Sequence, residues 1–183
     1  ADLAMVSQDS VFTSSHDSVS TYPFAVPTEI GDALVNAGFD VVASASDTIN
    51  DFGSEMIDQT LNYWSSSHPD ISLLGIHGSQ EDADTVKVVE VNGIRIALLN
   101  YTFGLDTALE SGQEYRVDVF DRDKISAAIQ NALEESDCII FFAHWGDENE
   151  TTPSEYQNQW AAFLMQQGVD VVIGSHPHVL QPY

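Results

Sequence analysis

Two short apolar runs near the end of the chain, residues 138–143 and 169–173, each lead directly into a cluster of histidines. Apolar runs of this length without regular polar alternation are typical of strands buried on both faces, as in parallel α/β sheets. Ligand-binding side chains of open α/β sheets follow the carboxyl ends of such strands. The sequence therefore predicts an α/β fold in which both histidine clusters meet at one edge of a sheet.

The first run leads into His144, and the second leads into the pair His176 and His178. Neutral imidazole is the commonest protein ligand for transition metals, and imidazoles combined with carboxylates build hydrolytic metal sites. Residues i and i+2 of an extended segment point the same way, so we expect His176 and His178 to face one site. A single histidine at a strand end is more often a surface or capping residue, and that interpretation is the alternative.

The length and composition are typical of a globular protein. The 183 residues are 43% hydrophobic, which is enough for one domain with its own core. We expect residues 1–183 to form a single domain, since the sequence shows no repeat, linker or low-complexity tract. No apolar run reaches the roughly 20 residues of a membrane-spanning helix, and no signal-peptide pattern opens the chain.

The charge is strongly acidic: 29 Asp plus Glu against 5 Lys plus Arg, a formal net charge of −24. No Lys or Arg precedes Lys87. This charge repels phosphate backbones and anionic lipids, so it disfavours nucleic-acid and peripheral membrane binding. It also attracts divalent cations, although we expect most of the carboxylates to belong to a solvated surface. The single cysteine, Cys138, excludes an internal disulfide.

Turn and cap signals divide the rest of the chain into short elements. Asn92-Gly93 between two apolar runs predicts a β-hairpin, and so one antiparallel pair among otherwise parallel units. Thr28 is a predicted helix N-cap, and residues 152–155 are a predicted capping box with proline at the first helical position. Residues 13–26 are a predicted surface loop. Further strands are predicted within residues 1–12 and over 39–45, 72–76, 86–91 and 94–99, and helices over 29–37, 54–64, 123–135 and 152–167.

Several segments in a fixed order carry a resemblance to a known family. The histidine motifs are His-Trp-Gly-Asp-Glu at residues 144–148 and Gly-Ser-His-Pro-His at residues 174–178. The segments that match in type and order before, between and after them are residues 24–27, 37–42, 51–53, 92–94, 101–104 and 179–182. Together they cover nearly the whole chain, which resembles the CapA family of capsule-synthesis or poly-gamma-glutamate-synthesis proteins. That family is similar to calcineurin-like metallophosphatases.

The resemblance implies a metallophosphatase-like four-layer α/β/β/α sandwich that is incomplete at both ends. We expect the sequence to be a fragment of a longer chain, and the alternative is a reduced version whose site is short of one Asp ligand. It also implies a metal centre at the sheet edge, where cations hold and activate a phosphate or a water for in-line attack. The expected metal is Mn, Zn or Fe, as one or two ions. By position, the implied metal ligands are Asp9, Asp47, His144, His176 and His178.

Two departures from the family pattern affect this site. Residues 7–9 are Ser-Gln-Asp where Asn-Leu-Glu is usual, so Asp9 keeps a carboxylate on a shorter side chain. Residues 46–48 are Ser-Asp-Thr where Asn-Asn-His is usual. Asp47 can still bind a cation through oxygen, but Thr48 cannot transfer a proton as histidine would. Losing such a group typically lowers the rate by about 100-fold or more.

The resulting hypothesis is a domain linked to capsule or poly-gamma-glutamate biosynthesis, with a partly degenerate metal-dependent site that hydrolyses a phosphoester or a γ-glutamyl-type amide. The candidate catalytic positions are Asp47, Thr48 and Glu148. Glu148 would orient water or substrate, and a solvated surface carboxylate is its equal alternative. The alternative function is a non-catalytic accessory domain of a cell-surface polymer-synthesis complex, and a third is a binding module with structural histidines.

The resemblance also implies a location outside the membrane, at the cell surface, with membrane-embedded polymer-synthase subunits as partners. The substrate would be an anionic polymer or a phosphoester, and nucleic acid is not an expected partner. A domain of charge −24 repels a polyanion unless cations or a basic partner bridge the two.

Overall fold

The computed structural model describes residues 1–13 and 24–182, which form nine strands and five helices. The strands are β1 Met5–Ser7, β2 Val11–Thr13, β3 Ala25–Pro27, β4 Val41–Ala43, β5 Ser72–Leu74, β6 Lys87–Val91, β7 Ile94–Thr102, β8 Cys138–His144 and β9 Val171–Ser175. The helices are α1 Glu29–Asn36, α2 Ser54–Ser67, α3 Gln80–Ala83, α4 Arg122–Glu135 and α5 Glu155–Gln167.

Within these residues the strands form two main sheets and one short pair. The first sheet has the order β1-β4-β5 and is parallel throughout. The second has the order β6-β7-β8-β9, and its β6–β7 pair is the predicted antiparallel hairpin, while the other pairs are parallel. Strands β2 and β3 make a separate parallel pair.

Three apolar clusters separate four layers. Trp64 of α2 packs on Phe12 and Val42 outside the first sheet. A second cluster lies between the two sheets and joins β4 and β5 to inward-facing residues of β7 and β8. On the outer face of the second sheet, α4 and α5 pack against the alternate residues of β7 and β8. The order is helix, sheet, sheet, helix, which confirms the predicted α/β/β/α class. The prediction that residues 1–183 are one domain and a fragment stays a prediction.

Strand β9 differs from the prediction of a strand buried on both faces. It is an edge of the second sheet among the described residues, with a strand neighbour on one side. Val171 and Ile173 are 43% and 37% exposed. The apolar run indicated the strand correctly, but an apolar run alone does not distinguish a central from an edge position.

The first predicted helix start, Glu29 after Thr28 at the N-cap position, is confirmed, although Thr28 makes no side-chain cap, and the second predicted start was wrong by two residues. Thr28 already has helical backbone angles and makes no side-chain cap hydrogen bond, whereas a capping residue is extended. The capping box before α5 consists of Ser154 and Gln157, each of whose side chains accepts a hydrogen bond from the other's backbone N–H. Because this helix begins at Glu155, the box lies two residues after the predicted position.

The predicted loop over residues 13–26 is partly replaced by structure. Residues 25–27 form β3, which pairs with β2 in register from Val11–Ala25 onwards. Residues 14–23 lie outside the described part of the chain.

Among the described residues, no helix combines the length and the apolar character that crossing a membrane requires.

A partly buried ion cluster joins the segment after β5 to the segment before α4. His77 Nε2 lies 2.8 Å from Asp118 Oδ2, and its Nδ1 lies 3.6 Å from Asp82 Oδ2. Burial lowers the pKa of His77, but the hydrogen bond to Asp118 and the charges of both carboxylates outweigh it, so the pKa is raised overall. The charged form of His77 therefore stabilises the folded state.

We predict that His77→Gln lowers the free energy of unfolding by about 1–3 kcal/mol at acidic pH, the range for a buried hydrogen bond to a charged group. A raised folded-state pKa gives a contribution that is complete below the unfolded value of about 6.5 and is lost as the pH rises through the folded value. Urea unfolding near pH 5.5 and near pH 9 measures the difference between variant and wild type. Exposed His178→Gln is the control. An equal His77→Gln deficit at both pH values would contradict the prediction.

Candidate metal centre

Four parallel strands end at the site. Asp9 follows β1 by two residues, and Asp47 lies in the loop after β4. His144 is the last residue of β8, and His176 is the first residue after β9. Because the two sheets pack face to face and His144 faces the layer between them, the second sheet presents its histidines to the loops of the first.

The buried imidazole of His144, 2% exposed, makes polar contacts from both ring nitrogens. Its Nε2 lies 3.1 Å from Asp47 Oδ1, and its Nδ1 lies 3.1 Å from Ser175 Oγ. The β8–β9 register places Ser175 directly beside His144. These contacts fix the plane of the ring, and they orient Nε2 toward Asp47.

Asp47 lies between two imidazoles. Its Oδ2 is 3.6 Å from His176 Nδ1, while its Oδ1 contacts His144. Among the described residues, Asp47, His144 and His176 each offer one ligand atom, and these atoms all lie within 4.8 Å of one another. The three side chains thus form a compact set of one carboxylate and two imidazoles.

The electrostatics of this set favour the forms that bind a cation. The hydrogen bond with His144 holds the pKa of the Asp47 carboxyl below its ordinary value. Burial lowers the pKa of His176, and the neighbouring His144 lowers it further. An ionised carboxylate and a neutral imidazole are the protonation states that ligate metals.

The set fits the metals that the sequence suggested. Two imidazoles and a carboxylate hold zinc in one class of catalytic site and ferrous iron in another, and imidazole and carboxylate together also suit manganese. Three protein ligands leave a position for a water or a substrate in such sites. The chemistry of the donors therefore fits one divalent cation without selecting among Zn, Fe and Mn.

His178 lies outside this set. His176 and His178 both have left-handed backbone angles, with φ of 90° and 59°. The segment is therefore not extended, and the argument that residues i and i+2 share a direction does not apply here. His178 is 60% exposed at the side chain, and its Nε2 lies 3.8 Å from Glu148 Oε1. The two side chains form a solvent-facing pair at the rim.

Asp9 lies on the other side of His144. Its Oδ1 is 3.7 Å from His144 Nδ1 and accepts a hydrogen bond from Ser7 Oγ at 2.9 Å. Asp47 instead faces Nε2 of the same ring. Asp9 is therefore close to the site but outside the set of three, in a position from which a carboxylate can orient the imidazole of a ligating histidine.

The hydroxyl of Thr48, a candidate catalytic position, donates a hydrogen bond to the backbone carbonyl of Asp9 at 3.1 Å. Its Oγ1 also lies 3.4 Å from Ser46 Oγ. The residue is buried. It thereby joins the loop that carries Asp47 to the segment that carries Asp9.

Sequence reasoning missed two neighbours of the set. Ser175 contacts His144, and only the strand register reveals this contact. The backbone N–H of Phe103 donates to the carbonyl of His144 at 2.9 Å, and its ring lies 5.1 Å from that of His176. Phe103 is 38% exposed, so an aromatic face borders the site. Phe103 lies in the segment 101–104 that matches the family pattern, but that match did not indicate either contact.

Comparisons with known proteins agree with this architecture. The sequence matches the family model described as bacterial capsule synthesis protein PGA_cap over residues 1–183. The capsule biosynthesis protein CapA of Bacillus anthracis is 27% identical over 157 residues, covering 82% of this chain and 38% of the relative. The PGA biosynthesis protein CapA of Bacillus subtilis (strain 168) is 30% identical over 152 residues, covering 81% of this chain and 39% of the relative.

The matched part of the chain thus spans about two-fifths of the length of these curated relatives. A crystal structure of a hypothetical protein from Thermus thermophilus superposes with a TM-score of 0.53 at 14% identity. That match covers 98% of this chain and 57% of the other. At this identity the likeness supports the fold alone.

We predict that His176→Ala weakens metal binding more than the roughly 10- to 100-fold typical of a lost outer-shell contact, because it removes one of three ligands. His178→Ala, the matched control from the same loop, should keep near-wild-type binding. The measurement is metal per chain by mass spectrometry after loading tag-free protein with Mn or Zn. Equal losses in the two variants would contradict the three-residue set.

Proposed function

This chain belongs to the bacterial capsule synthesis protein family, and from that membership we propose that it is a metal-dependent hydrolase-type domain acting in capsule or poly-gamma-glutamate biosynthesis. The observation that carries the proposal is the convergence of Asp47, His144 and His176 within 4.8 Å at the strand ends. Such a donor set at the edge of an α/β sandwich is typical of hydrolytic metal sites.

The three residues would hold one divalent cation, which would supply Lewis-acid polarisation of a phosphoryl or carbonyl oxygen. Asp47 stays ionised because of its hydrogen bond with His144, and it provides the negative charge of the site. His144 presents Nε2 to that site because its Nδ1 faces Ser175 and Asp9. The set is thus oriented before any substrate arrives, which reduces the cost of reorganisation during reaction.

Glu148, which pairs with His178 at the rim of the site, supplies a carboxylate for proton transfer. The backbone N–H of Asn149 donates to the carbonyl of Pro177 at 2.8 Å and so holds the two rim loops together. Glu148 and His178 project from these loops, 3.8 Å apart and both 60% exposed. In the proposed hydrolysis Glu148 accepts the proton of the attacking water, and His178 pairs with Glu148 at the rim.

The charge of the domain limits the substrates that can approach. A formal −24 repels a long anionic polymer, so divalent cations would have to bridge the two or a basic partner would have to present the chain. A phosphoester or a single γ-glutamyl-type amide bond is the proposed reacting group. We place the domain outside the membrane at the cell surface, beside polymer-synthase subunits, on the basis of the family.

A second candidate function is a non-catalytic accessory domain of the same biosynthetic complex. The hydrogen bond from Thr48 Oγ1 to the carbonyl of Asp9 favours it, because this side chain joins two loops and cannot protonate a leaving group. In this alternative the metal set would stabilise the domain or bind the polymer rather than cleave it.

We predict that Thr48→His raises kcat/KM for metal-dependent hydrolysis of bis-p-nitrophenyl phosphate by about 10-fold or more. This is part of the roughly 100- to 10,000-fold that a general acid contributes. Thr48→Gln, which has similar bulk and no titratable proton, is the control and should not gain activity. Detectable wild-type hydrolysis with this gain supports the hydrolase. A metal-loaded protein inactive in all three forms would contradict the hydrolase and favour the accessory domain.

A further inference from the structure

Asn100 is a buried amide in the apolar layer between the two sheets. It lies on β7, on the same face as Leu98, and is 3% exposed. Leu98 belongs to the cluster that joins the sheets, together with Leu74 and Phe142. Burying an amide among such side chains is costly unless both of its polar atoms find partners.

The two polar atoms of Asn100 bond to the loop that follows β4 of the first sheet and to β8 of the second. Oδ1 accepts a hydrogen bond from the backbone N–H of Ala45 at 2.7 Å, and Nδ2 donates to the carbonyl of Phe142 at 3.4 Å. Ala45 precedes Asp47 by two residues, and Phe142 precedes His144 by two residues. The side chain of Asn100 thus connects the backbones that carry Asp47 and His144, two of the three residues of the metal set Asp47, His144 and His176.

The hydrogen bond between Asn100 and Ala45 lies where the loop that carries Asp47 leaves the first sheet. Ser44 N–H still donates to the carbonyl of Leu74 in the neighbouring strand, at 3.0 Å. At the next residue, Ala45, the partner is the side chain of Asn100. Asn100 therefore fixes Ala45, the first residue after β4 whose backbone N–H bonds to a side chain instead of to the neighbouring strand.

The chain leaves room for this contact at Gly75. A Cβ added to Gly75 would lie 2.4 Å from Asn100 Oδ1 and 2.6 Å from Ala45 Cβ. The φ of Gly75, 83°, is also one that other residues rarely adopt. Because glycine has no Cβ and adopts this φ readily, the backbone directly after β5 can approach the Asn100–Ala45 hydrogen bond closely.

We propose that Asn100 is a positioning residue that sets the separation of Asp47 and His144, 3.1 Å between Oδ1 and Nε2. It acts through the backbones of Ala45 and Phe142 and touches neither side chain of the set. The inference rests on the proposed function because it assumes that Asp47, His144 and His176 bind a metal. The hydrogen bonds of Asn100 to Ala45 and Phe142 do not depend on that assumption.

The test is a cobalt(II) titration followed by visible absorption. Asn100→Leu keeps similar bulk and removes both hydrogen bonds, and it should weaken cobalt binding by about 10- to 100-fold, as loss of an outer-shell partner does. Leu98→Ala is the control: it loosens the same layer on the same strand but leaves the Asn100 bonds. It should bind cobalt within about threefold of wild type, the size of ordinary coupling between separated sites.

The inference is overturned if Asn100→Leu binds cobalt like wild type, or if Leu98→Ala loses as much affinity as Asn100→Leu. Should Asn100→Leu fail to fold, Gly75→Ala displaces the same amide from the opposite side while retaining it. The same weakening by Gly75→Ala supports the inference, and unchanged affinity overturns it.

A metal-free measurement separates this inference from the proposed function. If the wild-type protein binds no cobalt, the proposed metal site is wrong, and the ¹⁵N chemical shifts of the His144 ring at fixed pH then test Asn100. Asn100→Leu should change these shifts because the contact with Asp47 moves, and Leu98→Ala should not. Unchanged shifts in Asn100→Leu would overturn the positioning role.

Discussion

The apolar contact between the two sheets is the interaction on which the site depends. Val41, Ala43 and Leu74 of the first sheet pack against Leu98 and Phe142 of the second. This contact brings the carboxyl end of β4 beside that of β8, so a loop of one sheet meets the last residue of a strand in the other. The metal set is therefore a product of sheet packing, since Asp47 and His144 are far apart in sequence and 3.1 Å apart in space.

The acidic composition determines the electrostatic surroundings of the site. Three of the five basic side chains pair or stack within the protein: Arg95 with Asp137, Arg116 with Asp58, and Arg122 on Trp160. Many of the described carboxylates lie exposed to solvent. In the set, by contrast, two imidazoles surround one carboxylate, and burial lowers the pKa of His176. The whole domain would attract a cation, and convergent donor atoms lie at the strand ends.

Apolar runs and Asn92-Gly93 are local signals, and they predicted most of the strands and the hairpin. The layer order was instead implied by the family resemblance. The sequence also predicted that the segments carrying Asp47, His144 and His176 meet at one edge of the sheets. It did not predict that His178 lies exposed at the rim and outside the set of three, since left-handed backbone angles after a strand have no signature in a His-Pro-His motif. Ser175 and Asn100 were missed for a related reason. Their roles come from contacts across strands and between sheets, which only the folded register establishes.

A crystal structure of the tag-free protein soaked with manganese or zinc, with anomalous difference maps at the metal edge, would show whether the three side chains bind a metal. We predict a dominant peak bonded to Asp47, His144 and His176, at the roughly 2.0–2.2 Å typical of zinc ligands in the zinc soak. His178 should remain at the rim. Peaks scattered over surface carboxylates, with none between the three residues, would contradict a metal centre and with it the hydrolytic function.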